Sequence, residues 1–269
     1  MKILVTGGTG QLAQEIKNLL PQAEYPTRAD LDLSKPQSIH AYFKEHKFDL
    51  TLNCAAYTQV DLAEDNREEC RAINTMAPEI LGQLCPRVIH FSTDYVFNGL
   101  SHKPYLETDS PDPVNFYGET KLLGEEALLR MNPESMIIRT SWLYSQEFGK
   151  NFFKTIRRLT QEKSQLGIVI DQVGTPTHAR GLAELVVKNL IPGHPKGVFH
   201  YSDEGVASWY DFAMEINRRF PTDCQIRPIQ SSEYPTKAKR PHYSVLSKQK
   251  IKETLGIEIA HWQDRIIQS

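Results

Sequence analysis

Apolar residues along this chain fall into two rhythms that take turns. Short unbroken apolar runs read as buried strands, and stretches in which apolar residues return every three or four positions read as helices. Lys2–Thr6 is the first run, and Leu12, Ile16, Leu19 and Leu20 then recur at helical spacing. A second strand is expected to end near Tyr25 to Thr27. A helix over Pro36–Lys44 follows, with Ser34 placed to cap it, then a strand over Asp49–Ala56. Next come a long helix over Asp61–Leu84, a strand over Arg87–Phe91, a helix from Tyr117 through Leu128 and a strand over Ser135–Thr140. Strand and helix alternating in this way predict an α/β fold with a doubly wound parallel sheet. Beyond it the pattern gives a helix over Phe152–Glu162 and a strand over Leu166–Ile170. A helix over His178–Leu190 should return to the sheet, followed by a strand over Gly197–Tyr201. The helix Ser208–Phe220 carries Trp209, Phe212, Ile216 and Phe220 on one stripe, which reads Trp209 as core. Pro221–Ser247 is proline-rich and basic, and together these pieces suggest a smaller carboxyl-terminal α+β part.

The turn after the first strand brings in chemistry. Gly7-Gly8-Thr9-Gly10-Gln11-Leu12-Ala13 matches a dinucleotide fingerprint in two registers, through Gly8, Gly10 and Ala13 or through Gly7, Gly10 and Ala13. Strand, glycine turn and helix are the context that fingerprint needs: the glycines let backbone approach a pyrophosphate seated at the helix N-terminus. The sheet is therefore expected to be a Rossmann fold. Gly7, Gly10, Gln11 and Leu12 are the candidate cofactor contacts in the turn. Arg28 is the nearest charge after the expected second strand and favours a 2′-phosphate, hence NADP(H) with NAD(H) possible. Asp32-Leu33 resembles a pair that lines an adenine pocket. Ala55, Ala56 and Tyr57, at the end of the third expected strand, would let a cofactor lie across the sheet. Asn74, mid-helix, either faces solvent or hydrogen-bonds a neighbouring backbone strand, and joins the cofactor candidates.

Two hydroxyls, a carboxylate and a phenol leave the fourth expected strand at Ser92-Thr93-Asp94-Tyr95. After a long loop, Tyr117 and Lys121 stand four apart, one helical turn on one face. An ammonium beside a phenol stabilises phenolate and should pull the tyrosine below its usual pKa of about 10, toward use as an acid or base. Tyr117 and Lys121 are thus both catalytic and cofactor candidates.

Composition narrows the class. The chain has 269 residues, 40% hydrophobic and 24% charged, with a net charge of −2. No basic excess points to nucleic acid, and no apolar run reaches the roughly 20 residues of a membrane span. Met1-Lys2 leads straight into a strand-like run too short for a signal peptide. The scattered cysteines Cys54, Cys70, Cys85 and Cys224 read as reduced thiols of a cytoplasmic protein without a metal cluster.

Thr6-Gly7-x-x-Gly10-x-x-Ala13, a hydroxyl after the fourth strand and Tyr117-x-x-x-Lys121 resemble the extended short-chain dehydrogenase/reductases. Asn53-Cys-Ala-Ala-Tyr-Thr58, Ser92-Thr-Asp-Tyr-Val-Phe97 and Tyr117-Gly-Glu-Thr-Lys121 occur widely among sugar-nucleotide enzymes of that group. Arg139-Thr-Ser-Trp142, Asp171-Gln-Val-Gly-Thr-Pro-Thr177 and Arg240-Pro-His-Tyr-Ser-Val-Leu246 narrow the likeness to the dTDP-4-dehydrorhamnose reductase family, from residue 1 to about 265. The resemblance implies hydride transfer from reduced nicotinamide to C4 of a dTDP-4-keto-6-deoxy sugar, in polysaccharide biosynthesis. Tyr117 would be the acid. Lys121 would lower its pKa and hold the nicotinamide ribose, and Thr93 would hydrogen-bond the substrate oxygen, a role Ser92 could share. Substrate contacts are expected from Thr58, Asp94, Tyr95 and Trp142, and from Arg240 at the diphosphate.

The resemblance divides the chain into a nucleotide-binding domain, 1–141 and about 176–196, and a substrate-binding domain, about 142–175 and 197–269. Some members of the family dimerise through magnesium held by glutamates. Arg180 stands where one such glutamate would align and Glu15 alone cannot hold the ion, so no metal is expected, and a homodimer is possible. A 4,6-dehydratase or 4-epimerase on the same scaffold is the alternative, but a dehydratase needs a second carboxylate where Tyr95 follows Asp94. A non-catalytic regulatory subunit also shares this fold, and the intact Thr93, Tyr117 and Lys121 argue against it.

Overall fold

The computed structural model describes residues 1–267. Five strands form one parallel sheet: β1 (Ile3–Thr6), β2 (Leu50–Asn53), β3 (Val88–Thr93), β4 (Met136–Thr140) and β5 (Gly197–His200), hydrogen-bonded in that order. Strand side chains alternate between faces, so Ile3 and Val5 enter one core while Leu4 enters the other. Helices α1 (Gln11–Leu19) and α5 (Ala179–Leu185) cover the first face, with Leu12, Ile16, Leu182 and Leu185 buried against it. The second face is covered by α2 (Pro36–Glu45), α3 (Ala77–Leu84) and α4 (Phe116–Met131), through Ile39, Phe43, Leu81 and Leu128. This is the doubly wound arrangement expected. A third core of Tyr144, Phe153, Ile156, Phe212, Ile216 and Trp262 belongs to the later part of the chain. There the helices Phe152–Glu162 and Trp209–Arg219 lie beside a separate parallel pair, Gln165–Val169 with Gln225–Ile229.

Two elements differ from expectation. The second strand is reduced to a single bridge, Leu4 with Glu24. Pro26 has no amide for a ladder, and Thr27 instead binds the Asp30 carboxylate through both its amide and its hydroxyl, at 3.0 and 2.7 Å, which turns the chain. Even so, Glu24 lies on one side of β1 and β2 on the other, so the sheet switches direction at the end of β1. Ligands of open α/β sheets bind at such a point. The long helix expected over Asp61–Leu84 is broken. It runs as Val60–Ala63, a turn, Arg67–Arg71, a π-helical turn at Ala72–Met76, then α3. The wide turn directs Asn74 inward: Asn74 is 1% exposed, accepts the Tyr57 amide at 2.9 Å and donates to the Tyr57 carbonyl at 3.1 Å. Of the two readings of Asn74, the backbone-binding one is the one realised.

Candidate active site

The carboxyl ends of β1 to β4 open into a cleft of about 720 Å³. Its floor is the glycine turn. Gly7 sits at φ +68, and a Cβ there would stand 2.8 Å from the Cα and amide nitrogen of Ala55. Only glycine fits, and the backbone amides above it stay uncovered at the start of α1. Gln11, the first residue of α1, latches the far side. It donates to the Leu143 carbonyl at 2.9 Å and accepts from the Ser145 amide at 3.1 Å and the Asn151 side chain at 3.0 Å. Gln11 therefore fixes the segment after β4 over the turn. Glu15, one helical turn on, accepts the Ser145 hydroxyl at 2.6 Å, and burial raises its carboxyl.

Gly7, Gly10, Gln11 and Leu12 line one end of the cleft, with Arg28, Asp32 and Leu33 beyond the turn and Ala55, Ala56 and Thr58 along its side. Arg28 is exposed and already engaged, 3.0 Å from Glu69 and 3.6 Å from Asp32. Tyr57 and Asn74 lie outside the cleft wall: they support the β2 end through their mutual hydrogen bonds.

Thr93, Asp94, Tyr117, Lys121 and Trp142 meet in the other half of the cleft. Asn115 caps α4 by accepting the Gly118 amide at 2.8 Å, which fixes Tyr117 in the first turn. Gly118 lets that turn approach closely, since a Cβ there would stand 2.2 Å from the Tyr95 carbonyl oxygen. Thr93 is 6% exposed; its hydroxyl donates to Asp94 Oδ1 at 3.1 Å, accepts the Tyr95 amide at 3.1 Å, and favours the ionised form of the Tyr117 phenol beside it. Burial lifts the Asp94 carboxyl to about 7.

The phenol behaves differently from the sequence expectation. Burial pushes the Tyr117 hydroxyl above its ordinary value, and the Thr93 hydroxyl only partly opposes this. Lys121 is 1% exposed, burial lowers it to about 8, and its nitrogen donates to the Phe91 carbonyl at 2.6 Å and lies 3.0 Å from His90 Nε2. Desolvation, invisible in an i to i+4 spacing, is the largest influence on the phenol, and Lys121 is turned to His90 and the Phe91 carbonyl.

Tyr95 stands just off the cleft and meets Tyr117 edge to face, centroids 6.0 Å apart. Arg240 also lies off this cleft. It lines a neighbouring hollow of about 550 Å³ with Asp171, Ser231 and Lys237, acts with its charge on the Tyr95 phenol, and pairs with Asp61 at 2.7 Å. Trp142 has φ +46, and its ring covers Gly174, where a Cβ would come within 2.7 Å of it. Trp209, expected in the core, packs partly buried against the third core and in addition stacks on Trp142 and lines the cleft. The stripe accounts for its core side; its cleft side follows from Trp209 being the first residue of its helix.

The family model described as RmlD substrate binding domain matches residues 1–269. The chain belongs to this family. It is 38% identical to the spore coat polysaccharide biosynthesis protein SpsK of Bacillus subtilis (strain 168), over 98% of this chain and 95% of that one. It is equally, 38%, identical to a dTDP-4-dehydrorhamnose reductase of Burkholderia thailandensis, over 98% and 96%. The crystal structure of the dTDP-4-dehydrorhamnose reductase of Bacillus anthracis str. Ames in complex with NADP superposes with a TM-score of 0.93 at 30% identity, over 98% and 97%. Among the described residues no helix is long and apolar enough to cross a membrane.

Proposed function

We propose that this chain is an NAD(P)H-dependent oxidoreductase that reduces the C4 ketone of a dTDP-4-keto-6-deoxy sugar, dTDP-4-dehydrorhamnose to dTDP-rhamnose. The observation that carries the reading is the convergence of Thr93, Tyr117 and Lys121 on one cleft floored by a glycine turn, in a chain matched end to end by reductases of that name. A reduced nicotinamide supplies the hydride when bound. Gly7, Gly10 and the first amides of α1 would hold its pyrophosphate, Asp32 and Leu33 its adenosine end, and Lys121 the ribose next to the reacting ring. Arg28 supports a preference for the 2′-phosphate of NADP(H).

The residues then divide the work. The substrate ketone gathers negative charge on oxygen as its carbon is reduced. Thr93 offers that oxygen a hydrogen bond while the charge develops. Tyr117, held protonated by burial, gives it the proton. A phenol with a raised pKa suits this direction, because an acid must carry its proton when the ketone arrives. Trp142 and Trp209 present an apolar wall suited to the methyl and C–H face of a 6-deoxy sugar, and Asp94 faces the same space. A dehydratase reading lacks its second carboxylate: the position after Asp94 is Tyr95, turned edge-on to Tyr117. The test is anaerobic incubation with dTDP-4-dehydrorhamnose and NADPH, following loss of reduced-nicotinamide absorbance and identifying the sugar. Stoichiometric cofactor oxidation with dTDP-rhamnose as product is expected. Turnover without net cofactor oxidation would instead identify an epimerase or dehydratase.

A further inference from the structure

His90 is a buried titratable group with no place in the chemistry above, yet it touches Lys121. It is 1% exposed, on β3, with Nε2 3.0 Å from Lys121 Nζ and Nδ1 2.9 Å from Asn53 Nδ2. Asn53 is fully buried at the end of β2, and its Oδ1 accepts the Thr6 hydroxyl at 2.7 Å. Thr6 is the residue before Gly7, and its oxygen also accepts the Ala55 amide at 3.3 Å. Thr6, Asn53, His90 and Lys121 therefore form one hydrogen-bonded line across three adjacent strands, from the glycine turn to the catalytic helix.

We propose that His90 is a positioning residue for Lys121, the end of a reversible buried hydrogen-bond line from Thr6 that holds the lysine nitrogen and follows its charge. Donor accounting carries the argument. An ammonium can only donate. Opposite Lys121 as ammonium, neutral His90 must offer the Nε2 lone pair and keep its proton on Nδ1, and the Asn53 amide must turn its oxygen to His90 and its nitrogen to Thr6. Opposite Lys121 as an amine the line runs the other way. Thr6 donates to Asn53 Oδ1, Asn53 Nδ2 donates to His90 Nδ1, and His90 Nε2–H donates to the lysine. The Asn53 amide is turned here as in the second order, oxygen to Thr6 and nitrogen to His90. Asn53 can serve both, having an oxygen and a nitrogen at the same site. Imidazole suits the neighbouring position for the same reason.

The surroundings leave this line in control. Burial, then the charge of Lys121, holds His90 far below its ordinary pKa, so it stays neutral in either order. Around Lys121 the other ionisable groups are Tyr117 and Glu125 on its own helix and Cys70 from Arg67–Arg71. Glu125 is taken up by Arg139, with hydrogen bonds of 3.0 and 2.7 Å. Burial places Lys121 at about 8, so both charge states are within reach near neutral pH. The inference rests on the reading of Lys121 as part of the active centre.

Two measurements test it. The tautomer of His90 is read in the full-length protein, labelled with ¹⁵N-histidine, by long-range ¹H–¹⁵N correlation; the His90→Gln spectrum assigns the signal. A neutral ring that moves from the Nδ1–H to the Nε2–H tautomer as pH rises through the Lys121 titration is expected. One fixed tautomer, or an imidazolium near neutrality, overturns the proposal without touching the reductase assignment. The second is the pH profile of kcat/KM. His90→Phe removes the acceptor that favours the ammonium, so the limb governed by Lys121 should move down by about one pH unit and kcat/KM fall about tenfold. His90→Gln, whose amide oxygen can accept, should restore most of both. A His90→Phe limb that coincides with wild type, with only the melting temperature lowered, makes His90 mere core. Absence of NADPH oxidation by the wild-type protein would sink the parent reading instead.

Discussion

Trp142 and Trp209 lie face to face, ring centroids 3.6 Å apart and planes 7° from parallel. The two residues come from different parts of the chain, and one side of the pair faces the cleft. Trp142→Ala should therefore raise KM for the dTDP-sugar and leave NADPH affinity within about threefold, since an indole wall offers the pyrophosphate no hydrogen bonds comparable to the amides of the glycine turn. Trp209→Ala should act in the same direction by loosening Trp142. Both melts must be recorded, because a core Trp→Ala costs about 3–5 kcal/mol. An unchanged KM with a collapsed melting temperature would make the stack structural.

Much of this site is visible in the sequence because its parts are local. The glycine turn needs only Gly7 to Leu12, and the Tyr117–Lys121 pair only one helical turn. What pattern reading misses depends on contacts between segments far apart. His90 and Asn53 look like ordinary residues of buried strands until β2 and β3 set them side by side. The break in the helix around Asn74 carries one local signal, Pro78, which has no amide to give the Asn74 carbonyl; where Asn74 then points is settled by its hydrogen bonds to Tyr57, across segments far apart. The missing second strand was more readable, since Pro26 already argued against a ladder.

Tyr117→Phe removes the proton donor and keeps the ring that meets Tyr95. Turnover should drop by about 10²–10⁴-fold while the NADPH dissociation constant stays close to wild type. Steady-state rates with parallel fluorescence titration decide it, and a variant that keeps most of its activity rules the phenol out as the acid.

Arg28 is held by Glu69 and Asp32 before any phosphate arrives. Arg28→Ala should weaken NADPH binding more than NADH binding, because only NADPH carries the 2′-phosphate. Glu69→Ala, which removes the competing carboxylate, should tighten NADPH selectively. Equal losses for both cofactors in the Arg28→Ala titration would show the residue to be a bystander.

Asp94 gives a pH signature. Its folded pKa of about 7 lies above the usual carboxyl value of about 3.9, so the native state holds this proton more tightly than the unfolded chain. The stabilisation is complete below about pH 4 and is lost as pH rises toward 7. Asp203, lifted by burial to about 6, adds in the same direction. Asp94→Asn should remove the Asp94 part, flattening the decline of melting temperature between pH 5 and 7, measured by calorimetry on both proteins. Parallel curves would mean that Asp94 titrates normally.

The last prediction concerns Arg240, which the structure pairs with Asp61 through Nη2 to Oδ2 at 2.7 Å and Nη1 to Oδ1 at 3.1 Å. The Ala238 amide also donates to Asp61, at 2.9 Å, so the carboxylate organises the loop that carries the arginine. A two-toothed guanidinium–carboxylate pair is the geometry a diphosphate would compete for. The Arg240 charge also acts on the Tyr95 phenol, which rests edge-on against Tyr117, so a change at Arg240 has a short route to the phenol of Tyr117. If Arg240 binds the sugar nucleotide's diphosphate, Arg240→Ala should raise KM for the dTDP-sugar about tenfold or more with little change in kcat. Asp61→Asn, which weakens the competing pair but keeps the loop's hydrogen bond, should leave KM equal or lower it. If Arg240 instead only steadies Tyr95, Arg240→Ala will lower kcat and spare KM, and Asp61→Asn will follow it in the same direction. NADPH affinity, measured alongside, should hold within about threefold in both variants, because the pair lies outside the cofactor cleft.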